Sequence, residues 1–143
     1  MAIQQNSDSP VPMALALLFC DAIYLDPATG KRSLLGCFSA IASKEFPAAY
    51  PSLAIYAALT DGYGKEELTL QLIDVGEERP PVFADKIAME FQDPRVVFEI
   101  QCVKMPVLFP LPGEYRLQLL CRGAIVIERR IIVMNTGAET DHE

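Results

Sequence analysis

The chain has 143 residues, enough for one domain with a real core, and 51% of them are hydrophobic with no tryptophan. Its net charge is −7. Nucleic acid and anionic membrane both select clustered Lys and Arg, so this balance sets both aside as main partners.

Met1–Val11 is polar and reads as a disordered leader. Met13–Cys20, MALALLFC, imitates a secretory signal but lacks a preceding Lys or Arg, is short, and offers Phe19 where a small residue is needed for cleavage. It reads instead as part of a first strand, Pro12–Leu25, apolar almost throughout and so expected to be central or buried on both faces. No other stretch is long enough to span a bilayer, which points to the cytoplasm. Asp26–Lys31, with Pro27 and Gly30, is a turn into a second strand, Ser33–Ser43. Gly30-Lys31-Arg32-Ser33 falls short of a phosphate-binding loop, because its first glycine is replaced by Leu25 and a strand follows in place of a helix.

Lys44–Pro51 is an irregular crossover with room for a short helical turn, and Ser52–Thr60 is a third strand. Asp61-Gly62-Tyr63-Gly64 turns into Glu66–Val75, where Leu68, Leu70 and Leu72 alternate with Thr69 and Gln71. Gly76–Pro81 is an exposed loop before Val82–Gln92, which places Ile87, Met89 and Phe91 on one face. Asp93-Pro94 turns into Val96–Leu108, with Val96, Phe98, Ile100 and Cys102 on one side. Pro106, Pro110 and Pro112 then interrupt the chain.

Leu111–Met134 is a hairpin folded at Arg122-Gly123. Tyr115, Leu117, Leu119 and Cys121 form its apolar set. A strict two-residue loop would set Leu117 against Glu128 and Tyr115 against Arg130, mixing core with solvent. A longer loop or a one-residue bulge pairs Tyr115 with Ile131, Leu119 with Ile127 and Cys121 with Ile125, and puts Arg116 beside Arg130 and Gln118 beside Glu128 outside. Arg129 then faces inward near the rim. Residues 135–143 form an acidic tail, so the domain spans residues 12–134 with disordered tails at 1–11 and 135–143.

About eight strands with regular turn signals and no period of 3.6 make this an all-β chain. The expected fold is an antiparallel β-sandwich with immunoglobulin-like connectivity. Cys20, Cys37, Cys102 and Cys121 sit in apolar segments without a C-x-x-C pair, which argues against metal and for reduced thiols. A Cys37–Cys102 bridge is the alternative, since that gap of 65 residues resembles the inter-sheet spacing of immunoglobulin domains. The only histidine, His142, lies in the tail, which removes Ser-His and Cys-His catalysis and His-based metal sites together. Asp21, Asp26, Asp61, Asp74 and Asp85 sit mostly at turns and strand ends, where Asp serves the local backbone. Asp21, flanked by Cys20 and Ala22, needs a partner, and Arg129 is the candidate. Tyr115 after Pro-Gly-Glu reads as a corner tyrosine.

Phe19-Cys20-Asp21, Leu35-Gly36 with Phe38, Phe46-Pro47 and Pro112-Gly113-Glu114-Tyr115-Arg116 together resemble an uncharacterised bacterial family of small single-domain proteins, a domain of unknown function. The resemblance covers residues 14–133 and brings no activity, cofactor or catalytic residue with it.

Two functions from different classes follow. The first is a non-catalytic protein-interaction or assembly module, with an unknown protein partner or a second copy joined through an edge strand. Residues 114–130 hold four Arg against two Glu in an otherwise acidic chain, so Arg116, Gln118, Arg122, Glu128 and Arg130 are its candidate binding residues. Asp21, Arg129 and Tyr115 are structural. The alternative is a small ligand-binding protein or carboxylate enzyme with Asp61, Asp85 and Glu99 in a loop pocket. Neither reading calls for a metal or a cofactor.

Overall fold

A computed structural model of the chain describes residues 10–76 and 79–137. Expectations for residues 1–9 and 138–143 lie outside the described residues. Within them are twelve strands and no helix. In chain order these are β1 (Met13–Cys20), β2 (Ala22–Leu25), β3 (Arg32–Leu35), β4 (Ala40–Ser43), β5 (Ala48–Tyr50) and β6 (Leu53–Thr60). They continue as β7 (Gly64–Asp74), β8 (Phe83–Phe91), β9 (Phe98–Lys104), β10 (Val107–Phe109), β11 (Gly113–Cys121) and β12 (Ala124–Asn135).

Two sheets face each other. One has the order β1-β6-β9 and the other β4-β12-β11-β7-β8. Alternation along the strands fills the space between them. Leu17, Phe19, Leu53, Ile55, Leu59 and Ile100 come from the first sheet, and Leu68, Leu70, Leu72, Met89, Phe91, Tyr115, Leu117, Leu119, Ile131 and Val133 from the second. The closing hairpin lies beside β7, far from it in sequence, as in a Greek-key sandwich. The chain is an all-β sandwich, as its alternation predicts.

Several long segments of the sequence are broken where the chain must bend. Pro12–Leu25 is interrupted at Asp21, whose N–H donates to Leu35 O at 3.0 Å, and the β2–β3 hairpin swings out there. It leans over the outer face of the three-stranded sheet, where Arg32 reaches Gln101 and Glu99 at 2.5 Å each. Ser33–Ser43 is likewise two strands, separated at Gly36–Ser39. The pairings β6–β9 and β5–β10 keep one register, which places Pro51 opposite Pro106. Neither proline carries an N–H, so the ladder is interrupted there and both strands are split. The crossover therefore holds β5, a short strand, with no helical turn.

Other expectations are corrected. β1 is an edge strand, not a central one: it pairs with β6 alone and leaves Met13 and Leu15 exposed around a bulge. One pairing is parallel, β4 with β12. Val96 lies outside β9 and is exposed. β12 runs on to Asn135, and Thr136 N donates to Ser43 O, so the sheet reaches into what reads as tail.

Candidate functional site

The β11–β12 hairpin combines the two devices that the sequence sets against each other, a two-residue turn and a bulge. Arg122 and Gly123 both have positive φ, 52° and 80°, giving a two-residue turn of the primed type with Cys121 opposite Ala124. Val126 is then an extra residue, because Leu120 pairs with Ile125 and Leu119 with Ile127. From there Gln118 faces Glu128, Arg116 faces Arg130 and Tyr115 faces Ile131. The Cys121–Ile125 pair does not form, because the turn is tight and the bulge comes later.

On the outer face each arginine already holds a carboxylate of the same chain. Arg116 donates to Glu114 at 2.8 Å and to Glu128 at 3.0 Å, and Arg130 donates to Glu114 at 3.1 Å. Gln118 donates to Glu128 at 2.9 Å and accepts from Gln71 at 2.7 Å. The Arg116 guanidinium, helped by Arg130, holds the Glu114 carboxyl below its usual range. Two Arg and two Glu neutralise one another, so this surface is a closed network instead of a cationic patch.

Arg122 belongs elsewhere. It turns back to Glu66 Oε2 at 3.1 Å and to Pro10 O at 3.2 Å. Glu66 shares the inward parity of Leu68, Leu70 and Leu72, and its side chain is 1% exposed. Its other oxygen accepts from Cys121 Sγ at 3.3 Å, and burial and that contact push the Cys121 thiol up. A buried carboxylate is tolerable only with such partners. Sequence reading missed Glu66, although its parity with three inward leucines carried the signal.

Asp21 and Arg129 do not meet. Arg129 donates to Leu17 O at 3.0 Å on the free edge of β1 and lies over the Phe19 ring. Asp21 is exposed and accepts from the Tyr50 hydroxyl, while its other oxygen rests on Gly36. A Cβ at Gly36 would lie 2.6 Å from that oxygen, and its φ of +73° independently favours glycine. Phe38 packs edge-on against Phe19 and tilted against Tyr50, with ring centroids 5.1 and 5.0 Å away. Desolvation and the bond to Asp21 push the Tyr50 phenol up to about 12. Phe19, Asp21, Gly36 and Phe38, scattered landmarks in the sequence, are thus one cluster, beside a shallow recess of about 350 Å³ lined by Asp21, Tyr50, Pro51 and Ser52. Tyr115 accepts from Leu111 N at 3.2 Å and donates to Leu111 O at 2.6 Å, the geometry of a corner tyrosine.

The three carboxylates of the alternative reading have separate partners. Glu99 holds Arg32 and the Tyr56 hydroxyl on the outer face of β9, and desolvation, with that bond to Glu99, raises the Tyr56 phenol to about 12. Asp85, on β8, pairs with Lys104 of β9 across the open side of the sandwich. Asp61 sits in a turn at φ 60°, its N–H donating to Pro94 O. A groove of about 420 Å³ lies between Arg79–Phe83 and Lys104–Pro110, with Val82, Phe83, Val107 and Leu108 as its apolar wall and Arg79 and Lys104 at the rim. Among the described residues all four cysteines are free thiols, no group of His, Cys, Asp and Glu could hold a metal, and no helix could cross a membrane.

Comparison with solved structures finds similarity to an immunoglobulin-like protein from Pseudomonas aeruginosa, at 11% identity and a TM-score of 0.43, over 87% of this chain and 98% of that one. No curated protein matches the chain. The model of a family of unknown function, DUF6941, matches residues 15–134, and the chain belongs to that family.

Proposed function

We propose that the chain is a non-catalytic protein-interaction module of the cytoplasm and that it takes its partner along the edge strand β8. The state of that edge is the observation that carries the reading. Val75 N donates to Glu114 O, so odd-numbered residues of β7 direct their backbone groups to β11 and even-numbered ones to β8. The β7–β8 register then turns the N–H and C=O groups of Ala84, Lys86, Ala88 and Glu90 away from β7. Among the described residues no strand meets them.

The other edges of the two facing sheets are bulged or shorter. β1 is bulged at Leu15 and crossed by Arg129, β4 has four residues, and β9 has seven and ends two residues before Pro106. β8 has nine residues, no proline and an unbroken register with β7. Asp85 is an inward charge of the kind that guards an edge, but Lys104 of the same chain takes it up. A strand added here would gain main-chain hydrogen bonds without disturbing the core.

A ligand-binding reading rests on the apolar groove with its cationic rim, and one experiment separates the two. Wild type, Ala88→Pro, Leu108→Asp and Arg116→Glu/Arg130→Glu serve as baits in cells of the native host. The residue 88 N–H faces outward, where proline is tolerated on an edge. Partners should be lost with Ala88→Pro alone. Equal recovery with Ala88→Pro overturns the edge reading, and loss with Leu108→Asp instead moves the site to the groove.

A further inference from the structure

We infer that β8 pairs with β8 of a second copy, antiparallel and two-fold symmetric about Ala88, joining the two five-stranded sheets into one. The inference rests on the reading of β8 as a binding edge and names its occupant. Four residues carry it. Ala84, Lys86, Ala88 and Glu90 present the outward backbone groups, and their side chains stand on the solvent face of the sheet. A symmetric antiparallel pair must bring these positions together, and the charges choose among its registers.

With Ala88 on the axis, Lys86 faces Glu90 of the other copy, and Glu90 faces its Lys86. Opposite charges placed directly across a ladder are favourable, and like charges are not. Moving the axis to Lys86 sets Lys against Lys, and moving it to Glu90 sets Glu against Glu. An axis at Ile87 or Met89 pairs each charge with an uncharged residue. Only the Ala88 register opposes the two charges twice. Each charge also has an opposite neighbour on β7, since Lys65 lies opposite Glu90 and Glu67 approaches Lys86 at 3.8 Å. The joined sheets would therefore carry alternating charge across four strands, and the methyl groups of Ala88 would let the backbones meet at the axis.

A second feature agrees with this register. It sets Gln92 of one copy beside Ala84 of the other. A hollow of about 140 Å³ bounded by Glu90, Phe91, Val96 and Phe98 lies at that end of β8, and Val96 is 57% exposed. The half-buried Phe83 that starts β8 in the other copy, and Val82 just before it, would approach that hollow. Apolar surface left open in one copy would thus be covered by the other.

Sedimentation velocity on the full chain tests the pairing. Wild type should show a concentration-dependent dimer. Ala88→Pro should halve the mass while keeping its melting temperature within a few degrees. Lys86→Glu and Glu90→Lys should each be monomeric, the first because Glu then meets Glu and the second because Lys meets Lys. An equimolar mixture of those two variants should recover the dimer, since each charge again meets its opposite. A wild type that stays monomeric up to its solubility limit overturns the inference, as does a dimer indifferent to Ala88→Pro or a mixture that stays monomeric. If wild type is monomeric yet loses a captured partner with Ala88→Pro, self-association alone falls and the edge reading stands.

Discussion

Asp21 interrupts a strand that composition alone would run straight through it. Its carboxylate lies against the Gly36 backbone and accepts from Tyr50, so one residue turns the β2–β3 hairpin out and ties it to β5. The need for a partner was legible in the sequence from the cost of a carboxylate among apolar neighbours. The partner's identity was not, because Tyr50 sits in an irregular crossover whose place is set by pairing with β10. The contact has a pH signature. Tyr50 ionises at about 12 in the fold against 10 for a free phenol, so the folded chain holds that proton longer. Its contribution to stability is complete below pH 10 and is lost as the pH rises through about 12. Tyr50→Phe should lower stability at neutral pH by about 1.5 kcal/mol, the low end for a hydrogen bond to a charged acceptor because Asp21 is exposed. It should also flatten the alkaline fall, leaving the part due to Tyr56, Tyr115 and the raised thiols of Cys20, Cys102 and Cys121. Urea unfolding at pH 7 and at pH 11 measures both, and an alkaline limb unchanged by the substitution would sink the assignment.

The hairpin shows what a strand pattern can and cannot specify. Alternation from Tyr115 to Cys121 and the inward set Ile127, Ile131 and Val133 demanded a register incompatible with a strict two-residue turn. The chain satisfies both through Val126. What the pattern could not supply was the function of the arginines. Four Arg in one hairpin looked like a cationic face, yet Glu114, a neighbour along β11, and Glu128, across the ladder, each hold one or two of them. Arg122 and Arg129 are spent on Glu66 and Leu17, contacts set by the second strand layer and by β7. Breaks at Asp21 and at Gly36–Ser39 were also hidden, since apolar composition continues across each, and the prolines marked interruptions without showing that Pro51 faces Pro106. If Val126 is only a spacer, deleting it should restore a regular ladder with Tyr115 still opposite Ile131. The expected loss is about 1 kcal/mol, from one half-buried side chain. Inserting alanine after Ile127 should instead turn Ile131 and Val133 to solvent and cost roughly 3 kcal/mol or more. Thermal unfolding of the two variants distinguishes a spacer from a packing residue: the idea fails if the deletion is as damaging as the insertion.

At the scale of the whole molecule the two sheets are joined along both open sides. Lys104 with Asp85 and the Phe91–Phe98 contact, 5.8 Å between centroids, close one side, while Arg129 reaches from β12 to β1 on the other. Among the described residues, twenty-two buried residues from both sheets and from the β5–β10 pair form one contiguous core. Such a sandwich should open all at once, because neither sheet can expose its inner face without exposing the other's. The cysteines report on this without any added label. Cys20 is buried in β1 and Cys121 in β11, so they lie in opposite sheets, while Cys37 is exposed. Burial also raises the Cys20 and Cys121 thiols, leaving them unreactive in the fold. In the native chain Cys37 should therefore be modified first by a water-soluble thiol reagent. Cys20 and Cys121 should follow much later, at a common rate with the same dependence on urea, because both wait for the same global opening. After complete unfolding without reductant all four should react. Mass spectrometry of timed, quenched samples resolves the sites. If Cys121 were labelled well ahead of Cys20, the five-stranded sheet would be opening by itself, and the single cooperative sandwich would have to be given up.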